Sequence, residues 1–143
     1  MRADLRTEQE REIRSLIERY IGHFNAQEFE AALSCYRLPF TWLFGEPAAT
    51  AATPEEFLSM MRRSSSELRA KGLARSVLRS TTVRLLSDHV ALAGVVVARL
   101  RSDDSELASL GGTYLVHKGK EGWRLVAYGA HAIEAIVPAM SSG

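Results

Sequence analysis

From Arg75 to His131 the chain consists of long β-forming runs separated by turns too short to hold a helix. Residues 75–86, 89–101, 108–118 and 122–131 read as four strands, broken at Ser87-Asp88, at 102–106 and at Gly119–Gly122. Connections this short join antiparallel neighbours. A meander of this length has a face that must be covered, so the first half of the chain has to supply the cover.

That half reads as helices. Ile13, Leu16, Ile17, Tyr20, Ile21 and Phe24 recur at helical spacing over roughly residues 5–24. Asn25 reads as the N-cap of a second, short helix, with Glu28 as its partner and Phe29, Ala32, Leu33 and Tyr36 on its buried side. Pro39 is expected to stop that helix, and Cys35 falls on it beside Tyr36. "FTWLF" at 40–44 reads as a strand with Phe40, Trp42 and Phe44 on one face. In "TPEEFLSMM", Thr53 caps, Pro54 takes the first helical position and Glu56 closes a capping box. Phe57, Met60, Met61 and Leu68 form the inner stripe of this third helix, and Gly72 ends it. The expected fold class is α+β: a curved, cone-shaped, mixed or antiparallel sheet with three N-terminal helices on its concave face. One domain spans 1–137, with a flexible tail at 138–143.

Composition narrows the function. A formal net charge of +1 sets up no global field that calls for nucleic acid. Arg62, Arg63, Arg69, Lys71, Arg75, Arg79 and Arg84 make the middle of the chain basic, but without the interleaved aromatics that stack on bases. No apolar run reaches the about 20 residues that span a bilayer, so no membrane partner is expected. The N-terminus is charged and lacks a signal-peptide pattern, and Cys35 is the single cysteine. These features fit a cytoplasmic protein. No G-x-S-x-G elbow is present, and no helix follows Gly111-Gly112 to make a phosphate loop. His117 and His131 stand about 23 Å apart along one hairpin. They cannot share a metal, and neither a metal nor a cofactor is expected.

"RYIGHFNAQEFEAALSCY" at 19–36, the capped third helix and the closing "GGTYLVHKGKEGWRLVAYGAH" at 111–131 together resemble the nuclear transport factor 2-like superfamily. That superfamily includes ketosteroid isomerases and SnoaL-like polyketide cyclases. The resemblance covers about residues 5–137, and the order of the motifs carries it. It implies a cone of bent sheet closed by helices, a pocket inside the cone, and frequent dimerisation through the outer sheet face. In ketosteroid isomerase an aspartate base works with a tyrosine and a protonated aspartic acid. The tyrosine falls on Tyr20, the base on Phe44 and the second acid near Thr113. Phenylalanine accepts no proton and threonine is no carboxylic acid, so the resemblance supports the fold and argues against that reaction.

The same register points Ala127, Gly129 and His131 of the last strand into the pocket, together with Gly94, Val96 and Ala98. Trp42, Phe44, Met61 and Thr113 complete the expected ligand-binding set. Leu125, Ala127 and Gly129 shrink along one face before His131, and small strand residues make room for something. Each candidate has a second reading: His131 as a strand-end residue bonded to backbone, Tyr20 as a core residue whose hydroxyl finds a neighbour. The alternating set Val95, Val97, Tyr114, Val116, Val126 and Tyr128 is expected on the outer face, as a homodimer contact. The expected function is binding of a small apolar molecule inside the cone. The alternative is an isomerase, cyclase or dehydratase acting on an apolar cyclic or carbonyl substrate, with His131 moving the proton and Tyr20 polarising an oxygen.

Overall fold

The structure is a computed structural model and describes residues 3–135. The tail expected at 138–143 lies outside the described residues. Helix α1 (Ala3–Asn25) leads into a short α2 (Phe29–Leu33), strand β1 (Tyr36–Leu43), a short β2 (Ala49–Ala51) and helix α3 (Pro54–Ala70). Four long strands follow: β3 (Arg75–Leu85), β4 (Val90–Leu100), β5 (Glu106–Gly119) and β6 (Gly122–His131). A 3-10 turn at Ile133–Ala135 closes the described chain. The strands make one six-stranded mixed sheet in the order β2-β1-β6-β5-β4-β3. Every pairing is antiparallel except β1 with β6. The sheet is curved but not closed into a barrel, and the helices cover one face. This is the α+β architecture the sequence predicts.

Local chemistry explains the best-read elements. Thr53 Oγ1 accepts from the backbone N–H of Glu56 at 3.2 Å and donates to its carboxylate at 3.1 Å. Pro54 opens α3, where a missing N–H costs nothing. At the other end Gly72 takes φ 109°, Leu73 N–H returns to Leu68 C=O and Gly72 N–H to Arg69 C=O. That is a Schellman stop, which needs a residue free to adopt positive φ.

The second helix departs from expectation. Asn25 is not its cap; it is the last residue of α1. Its side chain clasps the backbone of Ser76, donating to the carbonyl at 2.9 Å and accepting from the N–H at 2.8 Å. An amide carries both a donor and an acceptor, so it imitates a strand neighbour and ties α1 to β3. Glu28 caps α2 by position alone, and its carboxylate pairs with His23 at 3.1 Å. Cys35 and Tyr36 are not helical: Cys35 lies buried in the turn and Tyr36 opens β1. Pro39 therefore lies inside a strand. It is tolerated because β2 pairs only from Phe40 onward and the β1–β6 register is irregular between Tyr36 and Thr41.

The larger correction concerns the two faces of the sheet. Ala91, Ala93, Val95 and Val97 of β4, Tyr114 and Val116 of β5, and Trp123, Leu125 and Tyr128 of β6 are buried with the helices. Val95, Val97, Tyr114, Val116 and Tyr128 were expected outside. Successive strand residues alternate faces, so Gly94, Val96, Ala98 and Thr113 point away from the helices. In β6 the alternation itself breaks. Val116 pairs with Leu125 and Leu115 with Ala127, which leaves Val126 as an extra residue in a bulge. The bulge sends Leu125 and Tyr128 inward and Ala127, Gly129 and His131 outward.

Candidate functional site

The interior beneath the helices is aromatic. All four tyrosines of the chain meet there: Tyr20 from α1, Tyr36 from β1, Tyr114 from β5 and Tyr128 from β6. Tyr20 packs edge-on to Tyr36 at 5.1 Å between ring centroids and to Tyr114 at 6.4 Å. Tyr114 and Tyr128 lie 4.6 Å apart. Trp42 stacks on Phe57 at 5.9 Å and meets Phe40 at 4.6 Å. Tyr128 can lie this way because Gly112, diagonal to it on β5, has no side chain; a methyl there would overlap the phenol ring.

These rings do not close the space. A cavity of about 160 Å³ remains between α1, α3 and the inner sheet face. Tyr20, Ile21 and Phe24 wall it from α1, and Met60, Met61 and Leu68 from α3. Trp42, Val97, Leu110, Tyr114 and Tyr128 wall it from the sheet, and Phe44 stands at its mouth. Phe44 lies just past β1 and is 65% exposed, with its ring 5.7 Å from Tyr128. The polar groups on the wall are the tyrosine hydroxyls, Ser64, Ser76 and Arg99. Asp, Glu, His and Lys are absent from the described residues that line it. A wider depression of about 790 Å³ between α2 and α3 is a surface groove edged by Glu28, Glu30, Arg62 and Arg69.

Burial raises the pKa of every phenol in the group. It is the largest cause for Tyr20 and Tyr128, and it lifts Tyr36 and Tyr114 well above their ordinary value. The Arg99 charge works against the rise on Tyr20 and Tyr128. The Tyr36 hydroxyl is buried without a hydrogen-bond partner. It lies near enough to the Tyr20 and Tyr114 hydroxyls to perturb both, but short of bonding geometry. At neutral pH the wall thus offers neutral phenols that donate hydrogen bonds, one cation, and no general base.

Of the residues expected at a site, the structure brings Tyr20, Trp42, Phe44 and Met61 together around this cavity. Gly94, Val96, Ala98, Thr113, Ala127, Gly129 and His131 are not part of it; they belong to the opposite face. There His131 is held at both ring nitrogens. Nδ1–H donates to the Ala132 carbonyl and Nε2 accepts from Thr113 Oγ1, each at 2.7 Å, the tautomer following from these partners. His131 and Tyr20 therefore do not share a cavity, and the arrangement pairs them on no common substrate. Beyond the expected set, the helices add Ile21, Phe24, Met60, Ser64 and Leu68 to the wall and β3 adds Ser76, while Val97, Arg99, Leu110, Tyr114 and Tyr128 come from β4, β5 and β6. The signal for those last five was the other parity of the same strands.

No curated protein matches this sequence. Among solved structures, an NTF2-like protein with a cystatin-like fold from Novosphingobium aromaticivorans is 23% identical, with a TM-score of 0.72 over 93% of this chain and 88% of that one. A protein of unknown function with a cystatin-like fold from Nostoc punctiforme is 15% identical, with a TM-score of 0.70 over 92% of each chain. A nuclear transport factor 2-like superfamily protein from Salmonella enterica is 12% identical, with a TM-score of 0.65 over 96% of this chain and 95% of that one. At these identities the likeness is one of fold. The family model described as NTF2-like protein (DUF6841) matches residues 9–133, nearly the whole of the helices and sheet described above, and the chain belongs to that family.

Proposed function

We propose that the protein binds a small molecule in the cavity between α1, α3 and the inner sheet face, with no reaction assigned. One observation carries the reading: Tyr20, Trp42, Tyr114 and Tyr128 converge on a space of about 160 Å³ that none of them fills. Protein interiors normally pack to crystal-like density. This space opens to solvent beside Phe44, so it leaves aromatic wall in contact with water that a ligand would cover. An apolar cavity of about 150 Å³ holds one benzene ring, so the ligand class is a compact single-ring molecule. Calorimetric titration of the wild type and of Val97→Phe with single-ring compounds tests this. Binding to the wild type is expected, with loss in Val97→Phe and no fall in its melting temperature. If the wild type binds no ring and Val97→Phe melts lower, the space is a packing defect and the reading fails.

A homodimer through the outer sheet face belongs to the same proposal. Leu43 and Leu115 are exposed on the outer side of the sheet at 52% and 38%, near half-buried Leu92 and Val96. An apolar band of this kind favours a partner over water. A cytoplasmic location is supported by the single cysteine, buried and free, which suits a reducing compartment. No helix of the described chain is long and apolar enough to cross a membrane.

A further inference from the structure

Arg99 is the cation of the cavity wall. It rises from the inner face of β4, paired across the strands with Ser76 of β3, and is half-buried. Half-buried Arg14, Arg37, Arg69 and Arg124 each hold a partner: the Glu10 carboxylate, the His117 imidazole, the Asn25 carbonyl and the Trp123 carbonyl respectively. The Arg99 guanidinium has no hydrogen bond or ion pair with any described residue. A guanidinium does not shed its proton in a protein. The other lining residues supply no counter-charge, and the guanidinium nitrogens keep contact with water, so their N–H donors are open to an anion. Tyr20, Ser76 and Tyr128 offer only neutral hydroxyls beside it.

We propose that the cavity takes a single-ring carboxylate of benzoate size, its carboxylate gripped by the Arg99 fork and its ring held among Trp42, Tyr114 and Tyr128. The inference rests on the cavity reading above and changes its ligand from a neutral apolar molecule to an aromatic acid. The guanidinium matches a carboxylate with two parallel N–H···O bonds. The volume limits the body to one ring. The absence of acidic side chains from the described lining removes the group that would repel an anion. Neutral phenols along the wall donate to oxygen without adding negative charge.

Titration calorimetry of the full chain with benzoate and with benzamide, its uncharged isostere, tests the inference. The wild type is expected to bind benzoate at least about tenfold more tightly, as a charge-assisted pair requires. Arg99→Met, which keeps the apolar stem without the charge, is expected to lose that preference while binding benzamide as the wild type does. Equal affinities in the wild type, or a benzoate preference retained by Arg99→Met, overturn the carboxylate inference and leave the cavity reading standing. Failure of both compounds to bind overturns the two together. A second measurement needs no variant: benzoate affinity should fall as pH drops toward about 4, where a carboxylate takes up its proton, and benzamide affinity should not. A benzoate-to-benzamide ratio unchanged with pH overturns the inference.

Discussion

Leu125 and Tyr128 point into the same interior although they stand three positions apart along one strand. The bulge at Val126 makes this possible by adding one residue to β6 opposite the unbroken run of β5. Everything beyond it changes face, and so Gly129 sits on the outer surface with nothing within 4 Å of where a Cβ would stand. Gly129→Leu should therefore fold and bind cavity ligands as the wild type does. Its effect should appear instead in sedimentation, as a change in dimer affinity. Loss of ligand binding in Gly129→Leu without a change in oligomeric state would contradict this placement.

The Tyr36 hydroxyl is buried without a partner, so removing it relieves a desolvation penalty of about 1–3 kcal/mol and loses no bond. Tyr36→Phe is expected to be neutral or stabilising in urea unfolding. Destabilisation by more than about 1 kcal/mol would mean that the hydroxyl is bonded.

Asn25→Ala removes both bonds to the Ser76 backbone and leaves a donor and an acceptor without partners at the α1–β3 seam. The expected cost is about 2 kcal/mol in urea unfolding. Asn25→Asp keeps the acceptor but sets a carboxylate oxygen against the Ser76 carbonyl, so it should be destabilised as well. An Asn25→Ala variant as stable as the wild type would show that the seam does not depend on this clasp.

The phenols titrate at the alkaline end. Each of the four holds its proton to higher pH in the fold than in the unfolded chain, where the ordinary value is 10.0. A raised folded-state pKa contributes stability that is fully present below about pH 10 and is lost as pH rises through the folded-state values. The melting temperature should fall above about pH 10. Tyr114→Phe should make that fall shallower, and an unchanged alkaline slope would count against burial as the cause.

The parts of the fold that were legible depend on chemistry between neighbours. Thr53, Pro54 and Glu56 announce the start of α3, and Gly72 its end, because caps are made by residues a few positions apart. The faces of the sheet were not legible in this way. In β4 both parities are apolar, Ala93, Val95 and Val97 against Gly94, Val96 and Ala98, so alternation alone could not choose between them. In β6 the bulge at Val126 defeats any reading by twos. Arg99 escaped notice for the same reason. It shares the parity of Val97, which alternation by twos puts on the outer face, whereas both line the interior.

The strand order also sets the sequence of events in folding. β1 finds its parallel neighbour in β6, so Thr41 pairs with Ala127 across most of the chain. Such distant pairings form slowly, because long loops must close before they are rewarded. On a ribosome, β1 would emerge with Phe40 and Trp42 while its partner was still unmade. The nascent chain would hold an open aromatic edge until His131 cleared the exit tunnel. Chains cut short before β6 should therefore aggregate or be captured by chaperones, and the chamber would be the last part of the molecule to take shape.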